Sequence, residues 1–297
     1  MKSGFIGLIG RPNVGKSSLV NAVIGHKVAI TSDKPQTTRN VIQGIRTDED
    51  SQMVFVDTPG IHKPKNKLGR ILNKEAYYSL EDVDVILFLV DITESLGKGD
   101  KFVIDVLKNA NVPVILVINK IDKVPREEIL KKIDEYKDLY NFDEIIPISA
   151  KKMDNVDRLI NVLKSKLTDN IKYYDEDMYT DKPVNFMVSE LIREKILDLT
   201  FEEVPHSVSV IVDAMEYSAN SVNIQATIVV DRENLKAILV GKNGSMIKEI
   251  GTRARTEIEL LLNKKVYLEL FVKVIPKWRD REKFLNEIGY EEYNFDK

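Results

Sequence analysis

The 297-residue chain contains no cysteine, which excludes disulfide bonds and thiolate metal sites and fits a reducing compartment. It also has no long hydrophobic run, since the longest, residues 85–90, is far shorter than the roughly 20 residues that span a bilayer. A large excess of charge is missing as well, because the net charge is only −3. Any affinity for a polyanion must therefore come from a local basic patch. We expect no leader segment, because an apolar strand pattern begins at residue 5.

Residues 5–167 alternate short β-branched segments with helical patterns, which predicts an α/β fold with a doubly wound, mostly parallel sheet. After the first strand, such segments lie at residues 54–56, 85–90, 114–118 and 145–148. Residues 41–46 and 52–56 flank an acidic turn and predict an antiparallel hairpin at one edge of the sheet. Ligands of such sheets bind at the carboxyl ends of the strands, so the residues that follow the strands are the candidate site residues.

The pattern changes near residue 170, where an acidic, aperiodic stretch ending at Pro183 predicts a linker. We therefore predict a first domain at residues 1–170, a linker at 171–183 and a second domain at 184–297. The second domain begins with a helix pattern at residues 184–200. Its strand patterns lie at residues 208–214, 222–230 and 266–274, with two helix patterns before the last strand. This order predicts a small α+β domain.

Directly after the first strand, the chain has every fixed position of a phosphate-binding P-loop. The eight residues are Gly10, Arg11, Pro12, Asn13, Val14, Gly15, Lys16 and Ser17. The glycines let the backbone approach an anion, and the helix that follows turns its positive end toward it. We expect Lys16 to reach the β- and γ-phosphates of a nucleotide and the Ser17 hydroxyl to bind Mg²⁺.

A second motif, Asp57-Thr58-Pro59-Gly60, stands at the end of the predicted strand 54–56. A carboxylate at this place can hold Mg²⁺ through a water molecule, and the Gly60 amide can meet a γ-phosphate. An Asp-x-x-Gly sequence alone is a common turn, so its position after a P-loop and a strand is what favours a functional role.

Two motifs after the later strands predict which base is bound. Asn119-Lys120-Ile121-Asp122 places a carboxylate where it can accept the N1–H and 2-amino donors of guanine. Adenine has neither donor on that edge, so it would leave the Asp122 carboxylate unpaired. Asn119 is expected to brace the loop, and the Lys120 stem to cover the base plane. Ser149-Ala150-Lys151 is expected to supply a backbone N–H to guanine O6.

With these motifs in their usual order, residues 1–170 resemble the Ras-like, translation-factor-related class of P-loop GTPases. The resemblance implies that Gln36-Thr37-Thr38-Arg39 belongs to the switch I loop, with Thr38 favoured over Thr37 as the threonine that closes on Mg²⁺. Asn13 resembles the asparagine that helps hold K⁺ in potassium-activated relatives, and a plain loop role for it stays open. Ile61 stands where Ras-like enzymes have a water-orienting glutamine, so slow intrinsic hydrolysis is expected.

The resemblance implies GTP and GDP as ligands, Mg²⁺ as a cofactor and K⁺ as a candidate second ion. The expected Mg²⁺ ligands are Ser17, Thr38 and Asp57. Catalytic roles are expected for Lys16, Asn13, Thr38 and Gly60. The expected nucleotide contacts are Gly10, Arg11, Pro12, Asn13, Val14, Gly15, Lys16, Ser17, Ser18, Asp57, Thr58, Pro59, Gly60, Ile61, Asn119, Lys120, Asp122, Ser149, Ala150 and Lys151.

The second domain has a Gly-x-x-Gly loop, Gly241-Lys242-Asn243-Gly244, between two amphipathic helix patterns. It resembles a type II KH domain, in which this loop clamps the backbone of about four nucleotides and an apolar groove receives the bases. The resemblance implies RNA contacts at Gly241, Lys242, Asn243, Gly244, Ile247, Lys248, Ile250 and Arg253. The structural alternative is a glycine turn between two core helices.

A local basic excess accompanies this loop, with 12 Lys and Arg against 6 Asp and Glu between Arg232 and Arg281. Such an excess fits neutralisation of a phosphate backbone. The only tryptophan, Trp278, is expected to anchor the chain in the core rather than to stack on bases. Glu190 and Arg193, three residues apart on a predicted helix, are expected to form a solvated pair.

A GTPase domain followed by a KH domain resembles the Era family of bacterial ribosome-assembly GTPases over essentially the whole chain. The resemblance implies binding near the 3′ end of small-subunit (16S) ribosomal RNA, a role in 30S subunit assembly, and a monomeric cytoplasmic protein with peripheral association with the inner membrane. It also implies a switch, in which GTP and Mg²⁺ order the loops around Thr38 and Gly60 and the linker transmits that order to the KH domain.

Two other classes fit parts of the pattern. A tRNA-modification or translation-factor GTPase needs a further domain, for which the residues after the linker leave little room. A membrane-associated signalling GTPase would use the basic residues 273–281 to bind anionic lipid. Pro276 interrupts that segment, however, and Asp280 dilutes its charge.

Overall fold

The structure is a computed structural model that describes residues 1–34, 36–61, 64 and 66–290. Residues 291–297 of the predicted second domain lie outside the described residues. The contacts divide the chain into two compact units. The first comprises Met1–Thr31, Thr38–Lys63 and Leu72–Asp181, and the second comprises Ser32–Thr37, Pro64–Ile71 and Lys182–Lys297. Within the described residues, no helix combines the length and hydropathy that a membrane crossing requires.

Strands and helices alternate up to residue 166, as the sequence predicts. The strands are β1 (Lys2–Gly10), β2 (Ile42–Thr47), β3 (Ser51–Asp57), β4 (Val85–Asp91), β5 (Val114–Asn119) and β6 (Glu144–Pro147). The helices are α1 (Lys16–Ile24), α2 (Lys67–Tyr78), α3 (Lys98–Leu107), α4 (Arg126–Tyr136) and α5 (Val156–Lys166). The strands form one sheet in the order β2-β3-β1-β4-β5-β6.

The sheet is parallel except at one edge, where β2 pairs antiparallel with β3 and confirms the predicted hairpin. Alternate residues of β4 face opposite sides of the sheet. Leu87 and Leu89 join a core that includes residues of α1 and α5, while Phe88 and Val90 join a core that includes residues of α3 and α4. Because helices cover both faces, β4 and β5 are buried along their whole length. The polar residues that could form a site therefore lie at the ends of these strands.

The end of the predicted first domain and part of the predicted linker lie along the first unit's sheet. Asp169, in the predicted first domain, forms a β-bridge with Ser3 of β1, and Thr180, in the predicted linker, forms one with Gly44 of β2. The Ile45 amide also donates to the Tyr179 carbonyl oxygen at 2.9 Å. Tyr179 and Thr180 thus add an irregular edge beside β2, and the aperiodic sequence of this stretch does not predict the pairing.

The second unit contains the predicted α+β elements after residue 182. They are α6 (Val184–Leu199), α7 (Val204–Ser207), β7 (Ser209–Tyr217), β8 (Ser221–Val230), α8 (Glu233–Val240), α9 (Ser245–Leu262), β9 (Lys265–Val274) and α10 (Glu282–Glu287). The sheet order is β7-β8-β9, with an antiparallel β7–β8 pair and a parallel β8–β9 pair. One face of this sheet packs on the helices, and Ile192, Ile224 and Ile258 lie fully buried between them.

Trp278 confirms its expected role as an anchor. Its side chain is fully buried, and the indole Nε1 donates to the Ser207 carbonyl oxygen at 3.0 Å. A buried indole with its N–H satisfied is a packing group, so it is not available for stacking on a base.

Glu190 and Arg193 form a buried ion pair, so the expectation of a solvated pair is wrong. Arg193 Nε donates to Glu190 Oε1 at 2.7 Å, and Arg193 Nη2 donates to Glu190 Oε2 at 2.6 Å. The arginine is only 2% exposed. The reason lies in α6, where every residue from Glu190 to Leu197 is buried, so the helix offers this pair no solvent-facing side.

We expect Glu190→Ala to lower the free energy of unfolding of the second unit by about 3–5 kcal/mol, because it leaves a buried guanidinium without its carboxylate. The measurement is denaturant unfolding followed by the fluorescence of Trp278, the only tryptophan and a residue of this unit. Glu249→Ala is the control, since it removes the exposed partner of Arg253, and should cost less than about 1 kcal/mol. Equal losses for the two variants would contradict the buried-pair interpretation.

Candidate nucleotide site and candidate RNA-binding loop

The P-loop joins β1 to α1 with the left-handed backbone that its motif predicts. Asn13 and Gly15 have φ angles of +65° and +99°. A Cβ at Gly15 would collide with the side-chain amide of Asn119, so this position requires glycine. The loop thereby places the first turn of α1, with its N–H groups, at the carboxyl edge of the sheet.

Lys16 is buried at the start of α1 with its ammonium group turned back toward the loop. Its Nζ donates to the carbonyl oxygens of Gly10 and Arg11 at 3.2 and 3.3 Å. Burial lowers the pKa of Lys16 to about 8, against an opposing effect of the Asp57 carboxylate. A buried cation whose hydrogen-bond partners are uncharged carbonyl oxygens suits an incoming phosphate.

Three oxygen-bearing side chains meet next to Lys16. Ser17 Oγ donates to Asp57 Oδ2 at 2.6 Å and lies 2.8 Å from Thr38 Oγ1. Burial raises the pKa of Asp57 to about 6, although Lys16 and the Ser17 hydroxyl oppose this rise. The other carboxylate oxygen, Asp57 Oδ1, is buried and has no hydrogen-bond partner among the described residues. An oxygen-only donor set with an unsatisfied carboxylate oxygen fits Mg²⁺.

The geometry favours Thr38 over Thr37 as the switch threonine. Thr38 Oγ1 is the hydroxyl that lies beside Ser17. Thr37 Oγ1 instead donates to the Lys34 carbonyl oxygen at 2.7 Å, which closes a local turn. Only Thr38 therefore has its hydroxyl in the group of oxygens that suits Mg²⁺.

The segment from Asp57 to Gly60 lies against the P-loop. Thr58 Oγ1 donates to the Leu8 carbonyl oxygen at 2.7 Å and fixes the start of the segment on β1. A Cβ added at Gly60 would lie 3.0 Å from Pro12, so glycine allows this close approach. Ile61 is 7% exposed and packs into the hydrophobic core. The Ile61 side chain therefore faces the interior, and the expected nucleotide contact at this position stays a prediction for its backbone.

Asn119 ties three loops together, as the bracing role predicts. Its Nδ2 donates to the Val14 carbonyl oxygen at 2.9 Å. Its Oδ1 accepts the amides of Lys120 and Ala150 at 2.8 and 3.1 Å. The Ala150 amide thus already has an acceptor, so a guanine O6 would have to share this N–H with Asn119 Oδ1.

Asp91, at the end of β4, is a site residue that the sequence analysis missed. Its Oδ2 lies 2.5 Å from Lys120 Nζ, which also donates to the Asn13 carbonyl oxygen at 2.7 Å. Burial raises the pKa of Asp91, but hydrogen bonds from Lys120 and Thr93 outweigh this effect and hold the pKa below its ordinary value. The sequence could have indicated Asp91, because it directly follows the apolar run 85–90 and so lies at the same edge of the predicted sheet as the other motifs.

Asp122 stands exposed at the mouth of the base site. Its Oδ1 accepts the Ser149 hydroxyl at 2.6 Å, and Ser149 Oγ in turn accepts the Lys152 amide at 3.1 Å. These bonds fix the carboxylate between the two loops that were predicted to select the base. A carboxylate held in this way can accept two parallel donors such as those of guanine.

In the second unit, the loop between α8 and α9 has the backbone expected of a Gly-x-x-Gly loop. Gly241, Asn243 and Gly244 have φ angles of +71°, +52° and +75°. A Cβ at Gly241 would lie 2.8 Å from the Met246 backbone nitrogen, whereas Gly244 has nothing within 4 Å. Lys242 and Asn243 are exposed. The loop therefore offers open space and a cation at the N-terminus of α9, which suits a sugar-phosphate chain.

Two of the residues expected to contact RNA already have contacts inside the second unit. Ile250 is fully buried in the core of the second unit, so a direct contact at Ile250 is wrong. Arg253 is exposed, but its Nε donates to Glu249 Oε1 at 2.7 Å, so it would have to leave this pair. Ile247 is half-buried and Lys248 is exposed, and both remain candidates.

The basic segment after β9 is partly used inside the second unit. Arg279 Nη2 donates to Asp231 Oδ2 at 2.8 Å, and its Nη1 donates to the His206 carbonyl oxygen at 3.1 Å. Together with the buried Trp278, this arginine fastens the segment to the fold. Two residues of the segment are therefore engaged inside the second unit, whereas Lys277 and Arg281 are exposed.

Comparison with family models gives the same two parts. Residues 5–120 match the model of the 50S ribosome-binding GTPases, and residues 203–279 match the model of the KH domain. The chain is therefore a P-loop GTPase joined to a KH domain.

Solved structures match this chain over nearly its whole length. Era in complex with MgGDPNP and nucleotides 1506–1542 of 16S ribosomal RNA is 44% identical, with a TM-score of 0.95 over 98% of this chain and 99% of that one. A variant of Aquifex aeolicus Era bound to GDP and aluminium fluoride is 43% identical, with a TM-score of 0.93 over 98% of this chain and 100% of that one. The chain belongs to the Era family.

We expect Asp122→Asn to weaken GDP binding by at least about 100-fold, because an amide donor then faces the guanine donors. Binding of xanthosine diphosphate should improve, since xanthine has a carbonyl acceptor in place of the 2-amino group. Calorimetric titration with both nucleotides is the measurement. Asp157→Asn, which neutralises an exposed carboxylate on α5, is the control. An unchanged ratio of the two affinities would contradict the assignment of Asp122.

Proposed function

We propose that this protein is a GTP-hydrolysing switch that binds small-subunit ribosomal RNA near its 3′ end and assists assembly of the 30S subunit. The observation that supports it most is the occurrence of a complete P-loop site and a Gly-x-x-Gly loop in one chain. A family member that is 44% identical over nearly the whole chain was solved with both MgGDPNP and 16S RNA. The two ligands of that relative correspond to the two candidate sites of this chain.

In the nucleotide site, the Lys16 ammonium would contact the β- and γ-phosphates. Ser17, Thr38 and Asp57 would hold Mg²⁺, either directly or through water. The metal ion, when bound, neutralises charge on the phosphoryl oxygens. The Gly60 amide would donate to the γ-phosphate, because its segment already lies against the P-loop. These groups position the terminal phosphate for attack by water.

Base choice and hydrolysis rate follow from four other residues. Asp122 would accept the guanine donors, and Asn119 would hold the loops around the base. Ile61 is aliphatic and buried, so it cannot orient the attacking water, and we propose slow intrinsic hydrolysis with another group in that role. Binding of K⁺ beside Asn13 stays a prediction from the resemblance.

In the RNA site, Lys242 and Lys248 would neutralise phosphates while the glycines allow the RNA backbone to approach. We propose that residues 171–183 connect the GTPase domain, residues 1–170, to the KH domain, residues 184–297. RNA binding should be tighter in the GTP state, and by linkage RNA should tighten GTP binding by the same factor. The size of this factor measures how strongly the two sites are coupled.

For a role in ribosome assembly, we propose that the protein is monomeric and lies in the cytoplasm. Peripheral association with the inner membrane is implied by the resemblance alone and stays a prediction. Lipid binding as the main function has no support from the segment after β9, where Trp278 is buried and Arg279 is paired with Asp231.

The test is the affinity for a short single-stranded RNA from the 3′ end of small-subunit rRNA, with GDP and with a non-hydrolysable GTP analogue at fixed salt. We expect tighter binding with the analogue. The double variant Lys242→Asp and Asn243→Asp should weaken binding at least about tenfold, because it places two carboxylates against the phosphates and keeps both glycines.

Asn263→Asp is the control for this charge change. Asn263 is exposed and left-handed at the end of α9, so aspartate fits there and adds negative charge to the same unit away from the loop. Its affinity should stay close to that of the unchanged protein. Equal weakening by all the substitutions, with no effect of the nucleotide, would contradict the proposal and leave only a nonspecific basic surface.

A further inference from the structure

Arg11 lies within the P-loop, but its side chain extends away from it toward the start of α3. Its Nη1 donates to Asp100 Oδ2 at 3.1 Å and reaches the Ser95 carbonyl oxygen at 3.5 Å. Its Nη2 lies 3.6 Å from the carboxylate of Glu94, which is well exposed. The strongest partner is therefore Asp100, on a different element from the loop.

Asp100 is an unusual partner because its side chain is only 2% exposed. A buried carboxylate is stable only with donors around it. Two donors are present, since the Gly97 amide donates to Asp100 Oδ2 at 2.8 Å and Arg11 donates to the same oxygen. Asp100 thus joins the first turn of α3 to the P-loop side chain.

The start of α3 leaves room for the arginine stem. A Cβ at Gly99 would lie 3.1 and 3.2 Å from Arg11 Cγ and Cδ, and a Cβ at Gly97 would lie 3.4 Å from Arg11 Nη1. A side chain at position 99 would therefore press on the Arg11 stem, and glycine leaves that space to the arginine.

The backbone of Arg11 belongs to the phosphate-binding side of the loop. Its carbonyl oxygen accepts Lys16 Nζ at 3.3 Å, and Pro12, the next residue, is the one that Gly60 approaches. Arg11 is thus held at one end by the loop and at the other by α3. The hydrogen bond to Asp100 therefore links α3 to the residue whose carbonyl oxygen accepts Lys16 Nζ.

We propose that Asp100 is a positioning residue for nucleotide binding, which acts through Arg11 to hold the P-loop in the shape that receives phosphate. The inference rests on the proposed nucleotide site. In this arrangement, Arg11 contributes to binding through its backbone, while its guanidinium group is engaged with α3. Preorganised donors bind an anion more tightly because less ordering remains to be done on binding.

The test compares Arg11→Gln, Asp100→Asn and the double variant in the full chain. We expect each single variant to raise the dissociation constant of GDP about tenfold, and the double variant to add little more, because both remove one interaction. In steady-state hydrolysis, KM for GTP should rise by a similar factor while kcat stays within about twofold, since neither side chain contacts the phosphates. Arg11→Lys should restore most of the affinity, because an ammonium can replace a single hydrogen bond to Asp100.

Asp105→Asn is the matched control on the same helix. Asp105 pairs with Lys108 at the surface, and GDP affinity should not change. If Asp100→Asn lowers the melting temperature while Arg11→Gln leaves GDP binding unchanged, Asp100 is only a helix cap and the inference is overturned. Failure of the unmodified protein to bind GDP is a different result, which would overturn the proposed function and this inference with it.

Discussion

The phosphates of a nucleotide carry several negative charges, and a protein binds them tightly only where donors are fixed before the ligand arrives. In this chain, that requirement falls on the loop from Gly10 to Ser17. Asn119 holds the loop at the Val14 carbonyl oxygen and Lys120 holds it at the Asn13 carbonyl oxygen. The strand order β1-β4-β5 places these groups within reach of one another. The sheet thus determines the shape of the loop through its strand ends.

The charges around the loop differ in how they are paired. Lys120 has Asp91 and Arg11 has Asp100, so both cations keep carboxylate partners and serve as fixed supports. Lys16 contacts two carbonyl oxygens, and burial lowers its pKa to about 8. A cation in that setting gains most from an anionic ligand, because the ligand replaces the solvation that burial removed. Lys16, which we propose to bind phosphate, thus differs in its pairing from Arg11 and Lys120, which we propose to position the loop.

Most of the fold and the motif residues could be predicted, because glycine loops and strand-end motifs have fixed spacing. The structure differs from the prediction where the sequence shows which residues are adjacent along the chain but not which way a side chain points. Ile61 and Ile250 stand beside functional motifs, yet both side chains turn into a core. Asp91 and Asp100 are single carboxylates without a pattern, so only the folded chain shows their partners. Glu190 has the spacing of a surface ion pair, and only the burial of α6 on all sides reveals that it is internal.

The two candidate sites use the same physical device for different ligands. Each has glycines with positive φ angles at the N-terminus of a helix, which lets phosphate approach the backbone. In the P-loop, a Cβ at Gly15 would collide with the Asn119 side chain, so the loop packs closely on the strand-end residue that holds it. Gly244 has nothing within 4 Å, and Lys242 beside it is exposed, so that loop can accept a polymer that enters and leaves on both sides. The two loops thus differ at the glycine that precedes each helix, since Gly15 lies against another strand-end loop while Gly244 faces open space.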